Sequence, residues 1–267
     1  MNFKKGDYVT RKSYNNDIIF EIIDINGNTI YLKGIDARLI ADSDANDLVK
    51  IVQENNIYKS DRILTDNLVN SIALDRSEYF YLPGRILHID SDNNYLERCI
   101  KFYSELKVEA YGENIAEENL EQEIKTKLEE YKPDILVVTG HDAYYKNKGD
   151  KRDLKNYKNS KKFVDAVKKA REYENSQEKL IIIAGACQSN YEELIKAGAN
   201  FASSPKRTNI HALDPAIIAS SVSLSEKNKS IDLITMLEKT KYKTDGMGGI
   251  ITNGTMYVGF PRWIKKF

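Results

Sequence analysis

Two rhythms of apolar and polar positions divide the chain. Over the first fifty residues, short β-type runs alternate with turn signals. The runs are Gly6-Asp7-Tyr8-Val9-Thr10-Arg11, Ile18-Ile19-Phe20-Glu21-Ile22-Ile23-Asp24 and Thr29-Ile30-Tyr31-Leu32-Lys33, separated by Asn15-Asn16-Asp17 and the dipeptide Asn26-Gly27. Ala37–Ala41 and Leu48–Val52 supply two further strands, so residues 1–52 are expected to form a small SH3-like β-barrel. Residues 53–84 read as a helical connector, with a helix from Ile57 to Leu74 and a break at Tyr79–Gly84.

From Arg85 onward the period changes. Continuous apolar runs at Ile86–Ile89, Asp134–Val138 and Leu180–Ala184 alternate with segments whose apolar residues recur at helical spacing. The helical segments are marked by Leu96, Cys99, Ile100, Tyr103 and Leu106, by Leu120, Ile124 and Leu128, by Phe163, Val167 and Ala170, and by Tyr191, Leu194 and Ile195. Val108–Tyr111 and Phe201–Ser204 are weaker strands. Strands apolar on both faces, alternating with amphipathic helices, predict an α/β domain over residues 85–267, with a mostly parallel sheet flanked by helices in a caspase-like or flavodoxin-like arrangement. The glycine-rich Asp245–Ile251 lacks the strand–turn–helix setting of a phosphate loop and is expected to turn into a final hairpin with Met256–Gly259.

Composition narrows the class. At 267 residues, the chain corresponds to about 1.8 typical domains, enough for a sizeable core. Hydrophobic residues at 41% and charged residues at 30% exclude a largely disordered chain. Lys+Arg and Asp+Glu are both 40, so no global field attracts nucleic acid. No apolar run is long enough to span a membrane, and Met1–Asp7 lacks a secretory pattern, so a cytoplasmic protein is expected. Cys99 and Cys187 are too few for a disulfide framework, and with three histidines no metal site is expected.

The chemistry lies where the strong strands end, because ligands of parallel sheets gather beyond their carboxyl ends. Thr139-Gly140-His141-Asp142 follows one strand and Gly185-Ala186-Cys187-Gln188-Ser189 another. Alone, each reads as structural; together they pose a thiol and an imidazole at neighbouring strand ends. Cys187 is expected at the start of a helix over 188–197, where the macrodipole would lower its pKa, with His141 sharing its proton. Its backbone N–H would help form an oxyanion hole, in the manner of covalent acyl transfer. Gly140 and Asp142 are candidates for completing or orienting that site. Cys99 reads as core and His88 as structural, while His211, before a helix, is a weaker alternative base.

A strand ending in Gly-His, followed by one ending in Ala-Cys, resembles the caspase–legumain–gingipain clan of cysteine peptidases, although Gly140-His141-Asp142 replaces that clan's His-Gly. Several stretches together resemble the YabG family of sporulation-specific proteases: Gly6–Arg11, Ile86–Asp90, Lys132–Asp142, Ala184–Ser189, Asn200–Arg207 and Asn209–Pro215. The resemblance runs over nearly the whole chain. It implies a peptidase that processes spore coat and related proteins, acting in the mother cell and on the coat, with Cys187 as nucleophile, His141 as base and no cofactor.

An acidic pocket floor selecting Arg or Lys before the cut is expected from Asp90, Asp92 or Asp214. The main rival is a receiver-like binding module, suggested by Ile86–Asp92. It fails at Thr139-Gly140-His141, where a receiver needs an aspartate. A second rival has the N-terminal barrel and the basic stretch Lys146–Lys162 contacting nucleic acid or a spore-surface polymer. That stretch holds eight basic and two acidic residues, net +6; it is expected to border the cleft or to be an internal cleavage site.

Overall fold

Alternation along the first strands places Val9, Phe20, Ile22, Ile30, Leu32 and Leu48 on one side, where they form a core of their own. The structure is a computed structural model that describes residues 3–51, 58–72, 74, 77–145 and 148–262. Strands β1 (Tyr8–Arg11), β2 (Phe20–Asn26), β3 (Thr29–Gly34), β4 (Ile40–Asp44) and β5 (Leu48–Lys50) pair antiparallel in the order β4-β3-β2-β1-β5. Gly27, at φ +60°, turns the β2–β3 hairpin.

The fourth strand starts three residues later than its apolar run predicts. Ala37 instead bridges to His211, Ala212 N–H donates to Asp36 O at 2.8 Å, and Arg38 N–H donates to Ile210 O at 3.2 Å. The reason is Arg38, whose side chain is fully buried in the second module and cannot also serve a sheet edge. Val52, Ile57 and Ala73, at the ends of expected elements, lie outside the described residues, as do Lys146 and Asn147.

Helix α1 (Lys59–Ser71) buries Leu64 and Leu68. The expected break at 79–84 is a short strand instead. Strand β6 (Phe80–Leu82) pairs with β13 (Tyr257–Gly259), so no terminal hairpin joins β13 to the glycine-rich segment. That segment forms β12 (Met247–Gly249), antiparallel to β11 (Phe201–Ser203). A Cβ on Gly249 would stand 2.3 Å from the Phe201 ring, so the missing side chains are what let this edge strand approach.

The main sheet runs β8-β7-β9-β10-β11-β12, with all but β12 parallel. Its strands are β7 (Ile86–Asp90), β8 (Ala110–Asn114), β9 (Ile135–Thr139) and β10 (Ile181–Ala184), then β11 and β12. Alternate strand residues feed two cores. Ile86, Ile135, Val137, Ile181 and Ile183 pack with α1, α2 (Asn93–Glu105) and α6 (Asp214–Ser223). Leu87, Ile89, Leu136, Val138 and Ile182 pack with α3 (Leu120–Tyr131), α4 (Ser160–Tyr173) and α5 (Tyr191–Lys196). Short helices α7 (Leu233–Leu237) and α8 (Lys243–Gly246) lie between α6 and β12. After β7 the chain adds β8 on one side and then returns to add β9 on the other, so the order reverses between β7 and β9. The crevice outside such a reversal is where α/β sheets hold their ligands.

Candidate active site

Strand β9 delivers Gly140-His141-Asp142 to that crevice. A Cβ on Gly140 would stand 2.5 Å from Ser91 Oγ and 2.7 Å from Glu117 Oε1, so any side chain here must displace the Ser91 and Glu117 groups. The same Glu117 oxygen accepts the His141 backbone N–H at 2.8 Å and the Ser91 hydroxyl at 2.6 Å. The imidazole packs at 5.8 Å from the Tyr95 ring, and its Nε2 lies 3.1 Å from Asp92 Oδ2. Its Nδ1 is buried and has no partner among the described residues.

Asp92 caps the N-terminus of α2, accepting Asn94 N–H at 3.0 Å, and Lys33 Nζ from β3 reaches its Oδ2 at 2.6 Å. Burial pushes this carboxyl up, but hydrogen bonds from His141 and Lys33, with the Lys33 charge, outweigh it and hold the group at about 2.

Strand β10 delivers Cys187 through Gly185, at φ +105°. The thiol is fully buried, and its sulfur accepts the Ile210 N–H at 3.2 Å. The helix expected to begin here starts later, at Tyr191 behind the Asn190 cap, because Gln188 turns left-handed at φ +60° and its N–H goes to Thr208 O at 3.0 Å. Cys187 therefore gains no helix N-terminus, and burial pushes its thiol up to about 12 instead of down.

Asp142 ties the two loops together. Its buried carboxylate accepts the Asn159 N–H at 2.7 Å, the Ser189 hydroxyl at 2.9 Å and the Ser160 hydroxyl, while Ser189 Oγ also accepts the Ala186 N–H at 2.9 Å. The Cys187 turn is thus hung from the residue after His141. No hydrogen bond joins His141 to Cys187 in this state.

Of the three carboxylates expected in a basic-selective pocket, Asp90 alone holds a guanidinium. Both Asp90 and Arg38 are fully buried and paired, and Asp90 Oδ2 also accepts the Thr139 hydroxyl at 2.9 Å. Asp92 holds Lys33 and His141. Asp214 lies in the first turn of α6 and accepts backbone N–H groups of His211 at 2.8 Å and Lys241 at 2.7 Å. His88 is buried between Tyr103 Oη at 2.8 Å and Thr139 Oγ1 at 3.2 Å, and Cys99 is buried in the core.

His211 Nδ1 accepts the Leu213 N–H at 3.1 Å, which leaves the neutral ring's proton on Nε2, facing Ser60 Oγ at 3.1 Å. Asp36 and Asp61 complete a three-residue group with it, but Arg98 donates twice to Asp61, at 2.8 and 2.7 Å. A cation already fills the group, and the imidazole nitrogen facing it carries a proton, so the donor set does not suit a metal ion.

Sequence reasoning missed Arg38, Lys33, Tyr95 and Glu117. All four act across long separations in the chain, and only the unexpected Arg within a β-type run gave any local signal.

The family model for YabG peptidase U57 matches residues 4–261. The chain belongs to the YabG family. It is 41% identical to the sporulation-specific protease YabG of Bacillus subtilis (strain 168), over 98% of this chain and 99% of that protein. No solved structure matches the chain. As a YabG family member it is a peptidase with a role in sporulation, and proteins are its substrates. None of its described helices is long and apolar enough to cross a membrane.

Proposed function

We propose that this YabG family peptidase is a cysteine endopeptidase, with Cys187 as nucleophile and His141 as its acid–base partner. It processes spore coat and related proteins in the mother cell and on the coat, and cuts after basic residues. The observation that carries this reading is the His141 ring: one nitrogen is held by Asp92 and the other is buried with no partner among the described residues, at a strand end adjacent to that of Cys187. A ring oriented in this way through Nε2 has Nδ1 free for proton transfer.

In the reaction, Nδ1 takes the Cys187 proton and the thiolate attacks the scissile carbonyl. The C–N bond breaks, the amine leaves with the proton from His141, and a thioester remains on Cys187. Water then hydrolyses it, giving a carboxylate and the regenerated thiol. Asp92 orients the ring, and Asp142 holds the two loops in register. Asp90 forms the floor that receives the basic side chain, with Asp214 further along the same wall. The backbone N–H groups of Cys187 and Asp142 face the oxyanion, and Gly140 leaves room for the turn.

The N-terminal module is read as SH3-like, which its strand order suits, and the second as a caspase-like peptidase domain. The basic segment after His141 borders the cleft; Lys158 N–H returns to Ala143 O at 2.9 Å, close to the histidine.

The test is cleavage of a diverse unstructured peptide pool by the wild type, Cys187→Ala and His141→Ala, read by mass spectrometry. Cuts that vanish in both variants and fall after Arg or Lys are expected. Cuts that persist in Cys187→Ala would remove the thiol from the chemistry, and cuts without basic preference would remove Asp90 from the pocket.

A further inference from the structure

The residue before a scissile bond must satisfy two demands in a cysteine peptidase. Its backbone lies on the nucleophilic sulfur, and its side chain enters the adjacent pocket. One residue of this chain already fills such a pocket, with its backbone running beside the segment that holds the sulfur. The backbone N–H of Arg38 donates to Ile210 O at 3.2 Å, and the N–H of that same Ile210 donates to the Cys187 sulfur at 3.2 Å. Its neighbours run antiparallel to the segment after Cys187's loop, through the Ala37–His211 bridge and the Ala212 N–H to Asp36 O bond at 2.8 Å. That is the way an extended peptide is held by strand addition.

The Arg38 side chain then fills a closed pocket. Its guanidinium pairs with Asp90, donates to Ala212 O at 3.2 and 2.9 Å, and lies 5.0 Å from the Tyr95 ring centroid. Pocket and carboxylate are both fully buried. A buried carboxylate, a backbone carbonyl that accepts two N–H groups and an aromatic wall together suit the planar donor fork of arginine rather than lysine. The segment is also fastened from outside. The Tyr95 hydroxyl donates to the carbonyls of Gly34 and Ala37, and Lys33 reaches Asp92. With these in place the Cys187 sulfur has no exposed surface.

We propose that Arg38 is a tethered occupant of the arginine pocket of Cys187, and that the Ile35–Leu39 segment must leave before a substrate can be cut. This rests on the reading of Cys187 as nucleophile. The N-terminal module is then an intramolecular inhibitor, and its release governs when the peptidase works.

The test uses the full chain. The rate of Cys187 alkylation by iodoacetamide is followed by peptide mapping. Turnover of a fluorogenic peptide with arginine before the cut is measured in parallel. Arg38→Ala is expected to raise both at least tenfold, and Arg38→Lys much less. Agmatine, a guanidinium probe, should then raise the melting temperature of Arg38→Ala but not that of the wild type, because only the variant offers an empty pocket.

Arg38→Ala leaves Asp90 buried without its partner and can fail to fold. Tyr95→Phe therefore frees the segment while keeping the Arg38–Asp90 pair, and a smaller rise in both rates is expected. A folded Arg38→Ala, or Tyr95→Phe where Arg38→Ala does not fold, with wild-type alkylation would make the segment a fixed structural insert and overturn the proposal. Cleavage that survives Cys187→Ala would instead overturn the reading on which it rests.

Discussion

Asp92 is the point at which the two modules and the histidine meet. Its carboxylate carries Lys33 at 2.6 Å from one module and His141 at 3.1 Å from the other. Since it touches no substrate in the proposed reaction, Asp92→Asn should lower kcat with little change in KM. A loss on the order of 10²-fold or more is expected, the scale of a mispositioned acid–base group. The folded carboxyl titrates near 2, below its ordinary 3.8. The stability it contributes is therefore complete above about pH 4 and is lost as the pH falls towards about 2. The melting temperature of the wild type should drop more steeply across that window than that of Asp92→Asn; parallel curves would show that the carboxylate contributes nothing there. At this scale the placement of His141 and Cys187 just beyond adjacent strand ends was legible, because strand ends are marked by the runs that precede them. The sequence Asp90-Ser91-Asp92 announces acid, but not which acid meets which cation. The answer comes from Arg38 and Lys33, more than fifty residues earlier.

Between elements, the site depends on how closely β9 leaves the sheet beside the loop after β7 and the segment before α3. Gly140 has no space for a methyl group, with Ser91 and Glu117 within 2.7 Å of an added Cβ. Gly140→Ala must therefore push Glu117 away from the His141 N–H it accepts. A destabilisation of about 1–3 kcal/mol, the usual cost of overpacking, is expected in urea unfolding, with lower kcat from the displaced ring. A variant as stable and as active as the wild type would show that the loop yields freely. The parallel strands and their helices were legible at this scale because runs apolar on both faces have one ready explanation. The edges were not. Strands β6, β12 and β13 are three residues each, too short for a period to register, and β12 is held by the absence of side chains. The start of α5 was misplaced for a related reason: the left-handed turn at Gln188 is made by a residue type that does not advertise it.

For the whole molecule, the N-terminal sheet has a core of its own, yet Arg38, between β3 and β4, buries its charge fully in the other module. That arrangement makes the two modules unequal partners in stability. Asp90→Ala would leave the Arg38 guanidinium buried with the Ala212 carbonyl and no counter-charge. Removing one member of such a pair costs about 3–5 kcal/mol. The result should appear in both modules at once if they unfold together, and urea unfolding followed by hydrogen exchange can separate them. Amides of β2 and β3 and amides of β9 and β10 should lose protection at the same, lower denaturant concentration in Asp90→Ala. If only the amides of β9 and β10 shift, the modules unfold independently and the Arg38 insertion is a contact without mechanical consequence. A common shift means that whatever withdraws Arg38 also loosens the sheet that carries Cys187 and His141, so release of the site and loss of stability are two readings of one equilibrium.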